Sequence, residues 1–358
     1  MTRAKTLAAA ALSAALFACV PAVAHDSAEH ANVAPPPNAL SVTEAVKSGT
    51  GTNVYQSVPM WQHMPEGRQT VGATHGGIVV DKKGNIYFSM DGGDQGILVY
   101  APDGKLLRGF GGKEYLKCHG LCINEENGEE FIYAAHLGGK QAVKFKLDGT
   151  VVWKIPFPKE SGKYQDVKQY SPTGIAVAPN GDVYIADGYG QNWIHQYDKD
   201  QKYIRSFGGK GKENGQFQTC HGIAIDKRGD KPLLLVCDRE NRRLQHFDLD
   251  GKFVAVITTD LRRPCSVSFN GKRVAIAELA GRVAIIDETN KVVSALGDNP
   301  NEKQRANFNV KPEDMKEGIF TAPHGVSFDA DGNLYVMDWN ASGRITKMTW
   351  LKQAASAK

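Results

Sequence analysis

The stretch QTCHGIAID at residues 218–226 decides the fold, because it joins a histidine to a short apolar run that is typical of a buried β-strand. The chain repeats this pattern as KCHGLCIN at 117–124, YSPTGIAVA at 170–178, RRPCSVSFN at 262–270 and TAPHGVSFD at 321–329. Turns such as APNGD and DADGN follow copies of the pattern, and their Asn, Asp and Gly residues favour tight hairpins. The sequence is therefore an array of β-rich repeats.

Each repeat contains four strand-like segments separated by turns. We call the residue that corresponds to His221 the lead residue of its repeat. Six lead residues can be assigned: Gly76, His119, Thr173, His221, Cys265 and His324. Six repeats of four short strands predict an all-β fold, a six-bladed β-propeller with four-stranded blades around a central channel. The last repeat is one strand short, and residues 54–62 are predicted to return and complete it.

The ends of the chain predict its organisation and its location. Residues 1–24 have a basic start and a short apolar run that ends in small residues, as in a secretory signal peptide. We therefore expect a periplasmic or secreted protein, with lipid attachment at Cys19 as the alternative. Residues 25–52 are predicted to be a flexible leader, 53–352 a single propeller and 353–358 a tail.

Charge and hydropathy exclude several classes of function. The net charge of +4 is spread along the chain without a basic run, so we expect no nucleic-acid partner. No apolar stretch after the signal peptide approaches the ~18 residues of a membrane span, so we do not expect an integral membrane protein. We expect a monomer that takes a small-molecule or peptide substrate at the channel mouth, with a partner protein as an open alternative.

The cysteines are not expected to form a framework of disulfide bonds. Five follow the signal peptide, and an odd number leaves at least one thiol outside any intramolecular disulfide. Cys118 and Cys122 lie in one predicted strand about 13 Å apart at ~3.3 Å per residue, too far for a disulfide. Free cysteines are commonly small buried apolar residues, and we expect most of these to be of that kind.

The lead histidines predict a metal site. The first strand of each propeller blade lines the channel, so the lead residues are expected to surround one channel mouth. His119, His221 and His324 lead blades 2, 4 and 6, at near-threefold positions. A lone buried histidine usually makes hydrogen bonds, but three in register predict a divalent metal, best zinc, with an open position for substrate. His136, which ends the second strand of blade 2 on the same face, could replace one of these ligands or complete the site. His75, which lies one place out of register, is the alternative ligand.

Three segments resemble the NHL-repeat propeller of the peptidyl-α-hydroxyglycine α-amidating lyases: ADGYGQNWIHQYD at 186–198, VCDRENRRLQHFD at 236–248 and FTAPHGVSFDADGNLYVMDWNASGRITKM at 320–348. In that family three histidines hold zinc, and a tyrosine and arginines act on an α-hydroxylated substrate to release glyoxylate and a peptide amide. The resemblance implies that His221 and His324 are zinc ligands. It also implies that Tyr189 is the catalytic tyrosine and that Arg239 is an active-site arginine.

By this resemblance the protein is expected to be an exported zinc-dependent lyase for α-hydroxylated N-acyl or peptidyl substrates, with calcium as an optional structural ion. The chain departs from the family pattern in several ways. The family's third zinc histidine lies in the loop after the second strand of blade 2, where His136 is close but out of register, and His119 is additional. Met90 stands where the family has a second arginine, and Gly325 stands where it has an acidic residue that helps to hold calcium.

Two other classes of function remain open. A calcium-dependent, lactonase-like hydrolase would use the acidic residues at the ends of the second strands: Asp187, Asp238, Glu278 and Asp338. A non-enzymatic propeller would bind a protein or peptide across its face, since a fold alone does not specify chemistry. The metal content of the protein distinguishes the three classes.

Overall fold

Six antiparallel β-sheets form the part of the chain that the computed structural model describes, residues 44–352. The chain begins with β1 (Lys47–Thr50) and β2 (Asn53–Ser57), which belong to the sixth sheet. The first three sheets then follow in order: β3 (Thr74–Val80), β4 (Ile86–Met90), β5 (Ile97–Tyr100) and β6 (Leu106–Phe110); β7 (Cys118–Glu126), β8 (Glu129–His136), β9 (Gln141–Lys146) and β10 (Val151–Ile155); β11 (Gly174–Val177), β12 (Val183–Ala186), β13 (Trp193–Tyr197) and β14 (Tyr203–Gly208).

The remaining sheets continue the same order of strands. They are β15 (Cys220–Asp226), β16 (Leu233–Asp238), β17 (Arg243–Phe247) and β18 (Phe253–Thr258); β19 (Pro264–Asn270), β20 (Arg273–Glu278), β21 (Arg282–Ile286) and β22 (Val292–Leu296); and β23 (Pro323–Phe328), β24 (Leu334–Asp338) and β25 (Arg344–Trp350). Short 3-10 turns lie in the loops at Lys113–Tyr115, Lys159–Ser161, Val167–Gln169, Glu302–Gln304 and Pro312–Asp314.

The innermost strands pack side by side in a closed ring, in the order β3, β7, β11, β15, β19 and β23, with β23 against β3. Each sheet is therefore one blade, and the predicted six-bladed β-propeller is confirmed. The inner strands surround a central channel that begins at the lead residues. The chain reaches this arrangement because every repeat supplies the same sequence of short strands and hairpin turns.

The hydrophobic core is divided among the spaces between neighbouring blades. Alternate residues of each strand face one neighbour or the other, so each pair of adjacent sheets encloses its own apolar cluster. Blades 1 and 6, for example, share a cluster that contains Phe88, Met90, Tyr335 and Met337. Because packing takes place between blades, the axis of the ring is left as a channel lined by the inner strands.

The first and last parts of the described chain close the ring together. β2 pairs with β25, with Tyr55 opposite Trp350, and so supplies the fourth strand of blade 6 as predicted. β1 pairs with β2 and adds a fifth strand. The prediction of a leader up to residue 52 is therefore wrong at its end. The segment KSGT lacks apolar alternation, and backbone pairing together with bonds to blade 5, such as Thr50 N to Ser294 Oγ at 3.0 Å, holds it instead.

Glycine follows the lead residue in every blade except blade 5, which has Ser266, because the inner strands approach each other closely. A Cβ added to Gly120 would lie 2.5 Å from Thr173 O, and one added to Gly222 would lie 2.2 Å from Cys265 O. Real Cβ atoms do not come so close to a carbonyl oxygen. The HG pairs of the repeats therefore combine a side chain at the mouth with a glycine that lets the next blade pack beside it.

Replacing Gly222 by alanine is expected to destabilise the propeller by about 1–3 kcal/mol, because the strands around the axis must separate to admit the methyl group. The change is measured as a lower denaturant midpoint at an unchanged m-value. Gly229→Ala is the matched control, since an added Cβ there meets nothing closer than Lys231 O at 4.0 Å. Equal midpoints for Gly222→Ala and the unmodified protein would contradict the close-approach explanation.

Some of the other sequence-based predictions concern described residues, and some do not. The predicted signal peptide at 1–24 and the tail at 353–358 lie outside the described residues. No helix within residues 44–352 is long and apolar enough to cross a membrane. The five cysteines of this range are all free thiols, and Cys118 and Cys122 occupy one strand as expected.

Candidate metal centre

A β-bulge at the start of the inner strand turns each lead histidine toward the channel. In β7 the pairing shifts between Cys118 and Gly120, which leaves His119 outside the ladder. The same shift occurs around His221 in β15 and around His324 in β23. A bulge re-aims the side chain of its extra residue, and here it aims an imidazole at the axis. All three histidines are buried.

His75 precedes Gly76, the lead residue of blade 1, and brings a fourth imidazole to the mouth. In β3 Thr74 pairs with Met90 and Ile78 with Phe88, so two extra residues are accommodated where β7, β15 and β23 accommodate one. The wider bulge explains why His75 stands one place out of register in the sequence. Its ring centroid lies 4.6 Å from that of His119 and 4.7 Å from that of His324.

Hydrogen bonds to the next blade fix the orientation of the buried rings. Nδ1 of His119 bonds Thr173 O at 2.8 Å, and Nδ1 of His221 bonds Cys265 O at 2.8 Å. Nδ1 of His324 bonds Gly76 O at 2.9 Å. A carbonyl oxygen only accepts, so in each ring Nδ1 carries the hydrogen and Nε2 keeps a free lone pair. Such bonds are typical of histidines that bind a metal through the other nitrogen.

His75 is oriented differently, by a carboxylate. Its Nδ1 lies 3.3 Å from Oδ2 of Asp91, the residue that follows the second strand of blade 1. A carboxylate behind an imidazole increases the basicity of the ring and is a common partner of metal-binding histidines. The cluster therefore has four histidines, His75, His119, His221 and His324, contributed by blades 1, 2, 4 and 6.

The Tyr189 hydroxyl sits at the centre of this cluster. It lies 3.3 Å from Nε2 of His75, 3.3 Å from Nε2 of His119 and 3.0 Å from Nε2 of His221. Arg239 donates to the same oxygen through Nη1 at 3.1 Å. A phenol has one hydrogen to donate, so it can satisfy one of the three imidazole nitrogens. The cluster thus has more imidazole nitrogen acceptors than hydrogens that could be donated to them.

His324 shows this excess directly. Its Nε2 is buried and has no hydrogen-bond partner among the described residues, and the residue is 2% exposed. Desolvation by burial holds the pKa values of His119, His221 and His324 well below the usual range. Neutral imidazoles with inward lone pairs are the form that binds divalent metals.

Tyr189 and Arg239 are placed by short, constrained loops. The Tyr189 loop is flanked by Gly188, where a Cβ would lie 2.4 Å from Cys220 O, and by Gly190, where it would lie 2.2 Å from Asp187 Oδ1. Arg239 follows β16, and its guanidinium lies 5.3 Å from the Tyr189 ring. Burial raises the pKa of the Tyr189 phenol, and the nearby Arg239 charge opposes that rise.

The potential ligand atoms form two overlapping sets among residues 44–352. One set is His75, His119 and His324, and the other is His221, Cys265 and His324. Within each set the ligand atoms lie within 4.8 Å of one another. The sequence predicts Cys265 as the lead residue of blade 5 and as a small buried apolar residue. The structure brings its sulfur to the histidine cluster.

His136 does not join the cluster. Its Nε2 donates to Leu116 O at 3.0 Å, and its Nδ1 accepts from Gln141 Nε2 at 3.3 Å. Both ring nitrogens are therefore used within blade 2. The interpretation of His136 as a metal ligand is not supported, because the end of the second strand directs this ring at the preceding loop and not at the axis.

The acidic residues that end the second strands of blades 3 to 6 are occupied by structural bonds. Oδ1 of Asp338 accepts the backbone N–H of Thr321 at 3.0 Å and of Ala322 at 2.7 Å, while Oδ2 pairs with Arg344 at 2.6 Å. Asp238 and Glu278 have equivalent arginine partners at the starts of their third strands. These carboxylates hold the chain that leads into each inner strand. Neither ligand set within the described residues contains a carboxylate.

A cavity of about 310 Å³ extends from the histidines along the channel. Its walls are inner-strand residues such as Leu121, Ile175, Ile223 and Val267. At the mouth, Trp339 lies 5.7 Å from His75 and 5.1 Å from Phe308, ring centre to ring centre. Trp339 also borders an apolar patch of Cys265, Leu279, Ala306 and Ala322. The centre therefore has an apolar wall beside its nitrogen ligands.

Comparison with known proteins agrees with the fold and points to one group of enzymes. Residues 170–197 match the family described as NHL repeat. The chain is 24% identical over 248 residues to a probable peptidyl-alpha-hydroxyglycine alpha-amidating lyase of Caenorhabditis elegans. The matched region covers 67% of this chain and 66% of that protein. It is 37% identical over 86 residues to a peptidylglycine alpha-amidating monooxygenase of Rattus norvegicus, but those residues are only 9% of the rat protein.

Solved structures share the fold. A virginiamycin B lyase from Staphylococcus aureus has a TM-score of 0.55 at 16% identity and covers 80% of this chain and 98% of its own. A gluconolactonase from Xanthomonas campestris has a TM-score of 0.58 at 11% identity and covers 88% of this chain and 99% of its own. At such identities the likeness concerns architecture alone. The protein is thus a six-bladed β-propeller with an NHL repeat, and its sequence is similar to those of the peptidyl-α-hydroxyglycine α-amidating lyases.

Proposed function

We propose that this protein is an exported zinc-dependent lyase that cleaves α-hydroxylated N-acyl or peptidyl substrates into an amide and glyoxylate. The observation that carries the proposal is the position of the Tyr189 hydroxyl, which lies within 3.3 Å of three imidazole nitrogens and within 3.1 Å of Arg239. A base, a cation and a set of neutral metal ligands therefore meet at one point of the channel mouth. Similarity in sequence to proteins named as such lyases supports the same reaction class.

The donor set fits zinc. Imidazole nitrogen is among the preferred ligands of Zn²⁺, and catalytic sites keep three protein ligands and one open position. We assign the ligands to His119, His221 and His324, with His75 as a fourth candidate. His324 belongs to both ligand sets, and His119 and His221 belong to one set each. Bound zinc would supply a Lewis acid for the substrate hydroxyl and carbonyl oxygens.

The chain's own residues then account for the proton and the orientation of the substrate. Tyr189, acting as the phenolate that the Arg239 charge favours, would accept the proton of the α-hydroxyl group as the carbon–oxygen double bond of glyoxylate forms. The carbon–nitrogen bond breaks, and Tyr189 would return this proton to the amide nitrogen. Arg239 orients the carboxylate of the glyoxylate portion, for which a guanidinium fork is well suited. Glu240 supports this role, since it holds Arg239 Nε at 2.8 Å.

The surroundings favour an apolar acyl group. Trp339 and Phe308 form an apolar wall beside His75. Arg239 follows the second strand of blade 4, and Glu240 links it to Arg263, which precedes the first strand of blade 5. A substrate with an apolar acyl end and a carboxylate end can lie across the centre with both ends matched. Met90 is buried in the core between blades 1 and 6, so no second arginine acts from that position.

The test is the release of glyoxylate from α-hydroxyhippurate by protein loaded with zinc. We expect release that stops with a chelator and returns with zinc, alongside an equal amount of benzamide. Lack of the second arginine is expected to slow the rate by about 10²–10³, because one missing charged contact costs ~3 kcal/mol. No glyoxylate from this or any related α-hydroxy-N-acyl compound, with zinc bound, would overturn the proposal.

The alternatives have less support in the geometry. A calcium-dependent, lactonase-like hydrolase needs free carboxylate oxygens at the centre, because calcium prefers oxygen ligands. Asp187, Asp238, Glu278 and Asp338 instead hold backbone amides, arginines and other protein donors. A non-enzymatic scaffold would not require a tyrosine among inward-facing imidazoles. Bound calcium without zinc would favour the first alternative, and protein that binds neither ion would favour the second.

A further inference from the structure

We propose that the thiolate of Cys265 is a ligand of the same centre, so that the bound metal has a sulfur ligand beside His221 and His324. The inference rests on the metal-dependent function proposed above and goes beyond it, because three histidines would suffice for that function. It assigns to blade 5 the same kind of contribution that blades 1, 2, 4 and 6 make.

The position of Cys265 carries the argument first. It is the lead residue of blade 5, buried at 1% exposure, and its sulfur lies within 4.8 Å of the ligand nitrogens of His221 and His324. A buried cysteine alone would mean little. His324 supplies an independent sign, since its Nε2 is buried at the same place without a partner among the described residues. This nitrogen lies within 4.8 Å of the Cys265 sulfur, whose thiol contacts Arg263 O at 3.7 Å, so one ion could bind both atoms in place of that contact.

Cys265 is also coupled to a histidine through its backbone. Its carbonyl oxygen accepts the Nδ1 hydrogen of His221 at 2.8 Å, and this bond sets the direction of His221 Nε2. One residue therefore positions one ligand with its main chain and offers a second ligand with its side chain. The spacing between the two ligands is fixed by a single short contact between blades 4 and 5.

Burial raises the pKa of the Cys265 thiol to about 11, and the Arg239 and Arg263 charges oppose that rise, so the thiolate forms as a metal binds and displaces the proton. Arg239 lies beside the centre and bonds the Tyr189 hydroxyl at 3.1 Å, and Arg263 adds a second positive charge close by. A divalent ion held only by neutral imidazoles would repel both guanidinium groups. A thiolate removes one unit of the ion's charge, and soft sulfur ligands are preferred by Zn²⁺ and Cu⁺. The ion is therefore held more easily with Cys265 than without it.

The two ligand sets share His324, so a single ion at this residue can draw ligands from both sets. The set of His75, His119 and His324 offers nitrogen alone, and the set of His221, Cys265 and His324 adds sulfur. Cys265 therefore joins the three histidines proposed above as ligands, and His75 stays beside the Tyr189 hydroxyl at 3.3 Å.

The test is X-ray absorption at the zinc edge on the full chain loaded with one equivalent of zinc and purified without a histidine tag. We expect one sulfur neighbour at about 2.3 Å beside nitrogen neighbours at 2.0–2.1 Å. Cys265→Ser should remove the sulfur shell and leave zinc bound, whereas Cys122→Ser should keep it. Cys122 is the matched control, because it also lines the channel but belongs to neither ligand set.

Cobalt gives a second measurement that needs no variant. A thiolate ligand produces a charge-transfer band of Co²⁺ in the near ultraviolet, which nitrogen ligands do not. The band is expected in the unmodified protein, so the proposal stays testable if Cys265→Ser fails to fold. Zinc bound without a sulfur shell, and cobalt bound without the band, would overturn the assignment of Cys265 and leave the proposed lyase function standing. If neither metal binds, both proposals are wrong.

Discussion

His324→Ala is expected to remove the metal from the protein almost completely. His324 is the residue common to both ligand sets, and its buried Nε2 has no other partner among the described residues. Elemental analysis should fall from near one zinc per chain to a small fraction of that value. Thermal stability should fall too, because a bound ligand at 1,000 times its Kd stabilises the folded state by ~4 kcal/mol.

Losing the stabilisation that the bound metal provides corresponds to a drop in Tm on the order of 10 °C, since each kcal/mol shifts the Tm of a large domain by about 2–4 °C. The drop should disappear when both proteins are compared in chelator, apart from the cost of the lost side chain. His195→Ala is the matched control. His195 is buried too, but its nitrogens bond Tyr164 and Ser206 at 2.7 Å within blade 3, away from the channel.

The control should lose stability and keep its zinc, which separates damage to packing from loss of a ligand. Zinc content unchanged in His324→Ala would show that the centre does not hold the metal through this residue. Such a result would also remove the basis for either ligand set, because both contain His324.

Tyr189→Phe is expected to lower glyoxylate release by 10²-fold or more, because a general base of this kind contributes that much to a rate. Phenylalanine keeps the ring beneath the Arg239 guanidinium, 5.3 Å away, and fills the same space between Gly188 and Gly190. Zinc content should therefore be unchanged. The effect should appear in kcat, since the hydroxyl acts in the reaction and the carboxylate contact of Arg239 is retained.

Tyr203→Phe is the matched control for this change. Tyr203 lies in the outer strand β14, and its hydroxyl bonds Ser206 at 2.8 Å. Its removal should leave kcat unaltered. Zinc-dependent release that persists at the original rate in Tyr189→Phe would mean that another group takes the hydroxyl proton, and the proposed mechanism would not apply.

The sequence predicted the architecture because the fold is specified locally and repeatedly. Each repeat has the same alternation of apolar strand and hairpin turn, so errors in one repeat are corrected by the others. The closing strand could also be predicted, since the last repeat visibly lacked one. β1 could not, because KSGT carries no alternating pattern and is held by backbone pairing.

The centre was predicted where side chains follow the repeat register and was missed where they depart from it. His119, His221 and His324 were found by alignment. His75 was predicted only as the alternative ligand, because counting back from the turn cannot reveal a bulge of two residues. His136 was predicted as a possible ligand from its place on the same face, but a shared face of the blade does not fix the direction of a ring that a carbonyl can bind.

Cys265 illustrates a different limit. Its place in the repeat was known from the sequence, and burial is the usual condition of a free cysteine. Whether the thiol only packs or binds a metal depends on the distance from its sulfur to atoms on other blades. Those atoms belong to residues that are far from Cys265 in the sequence. That distance follows from the curvature of the ring, and no local pattern encodes it.

The junction of blades 1 and 6 gives the centre one more property. His75 and His324 stand on opposite sides of this junction, and His324 Nδ1 reaches across it to Gly76 O at 2.9 Å. The two blades belong to opposite ends of the described chain, so their union closes a very long loop, and that closure has a cost in entropy. An ion held by His324 of blade 6 and His119 of blade 2 would span this junction and act as a reversible cross-link. Release of the ion and opening of the ring would then be thermodynamically coupled, so that each would favour the other.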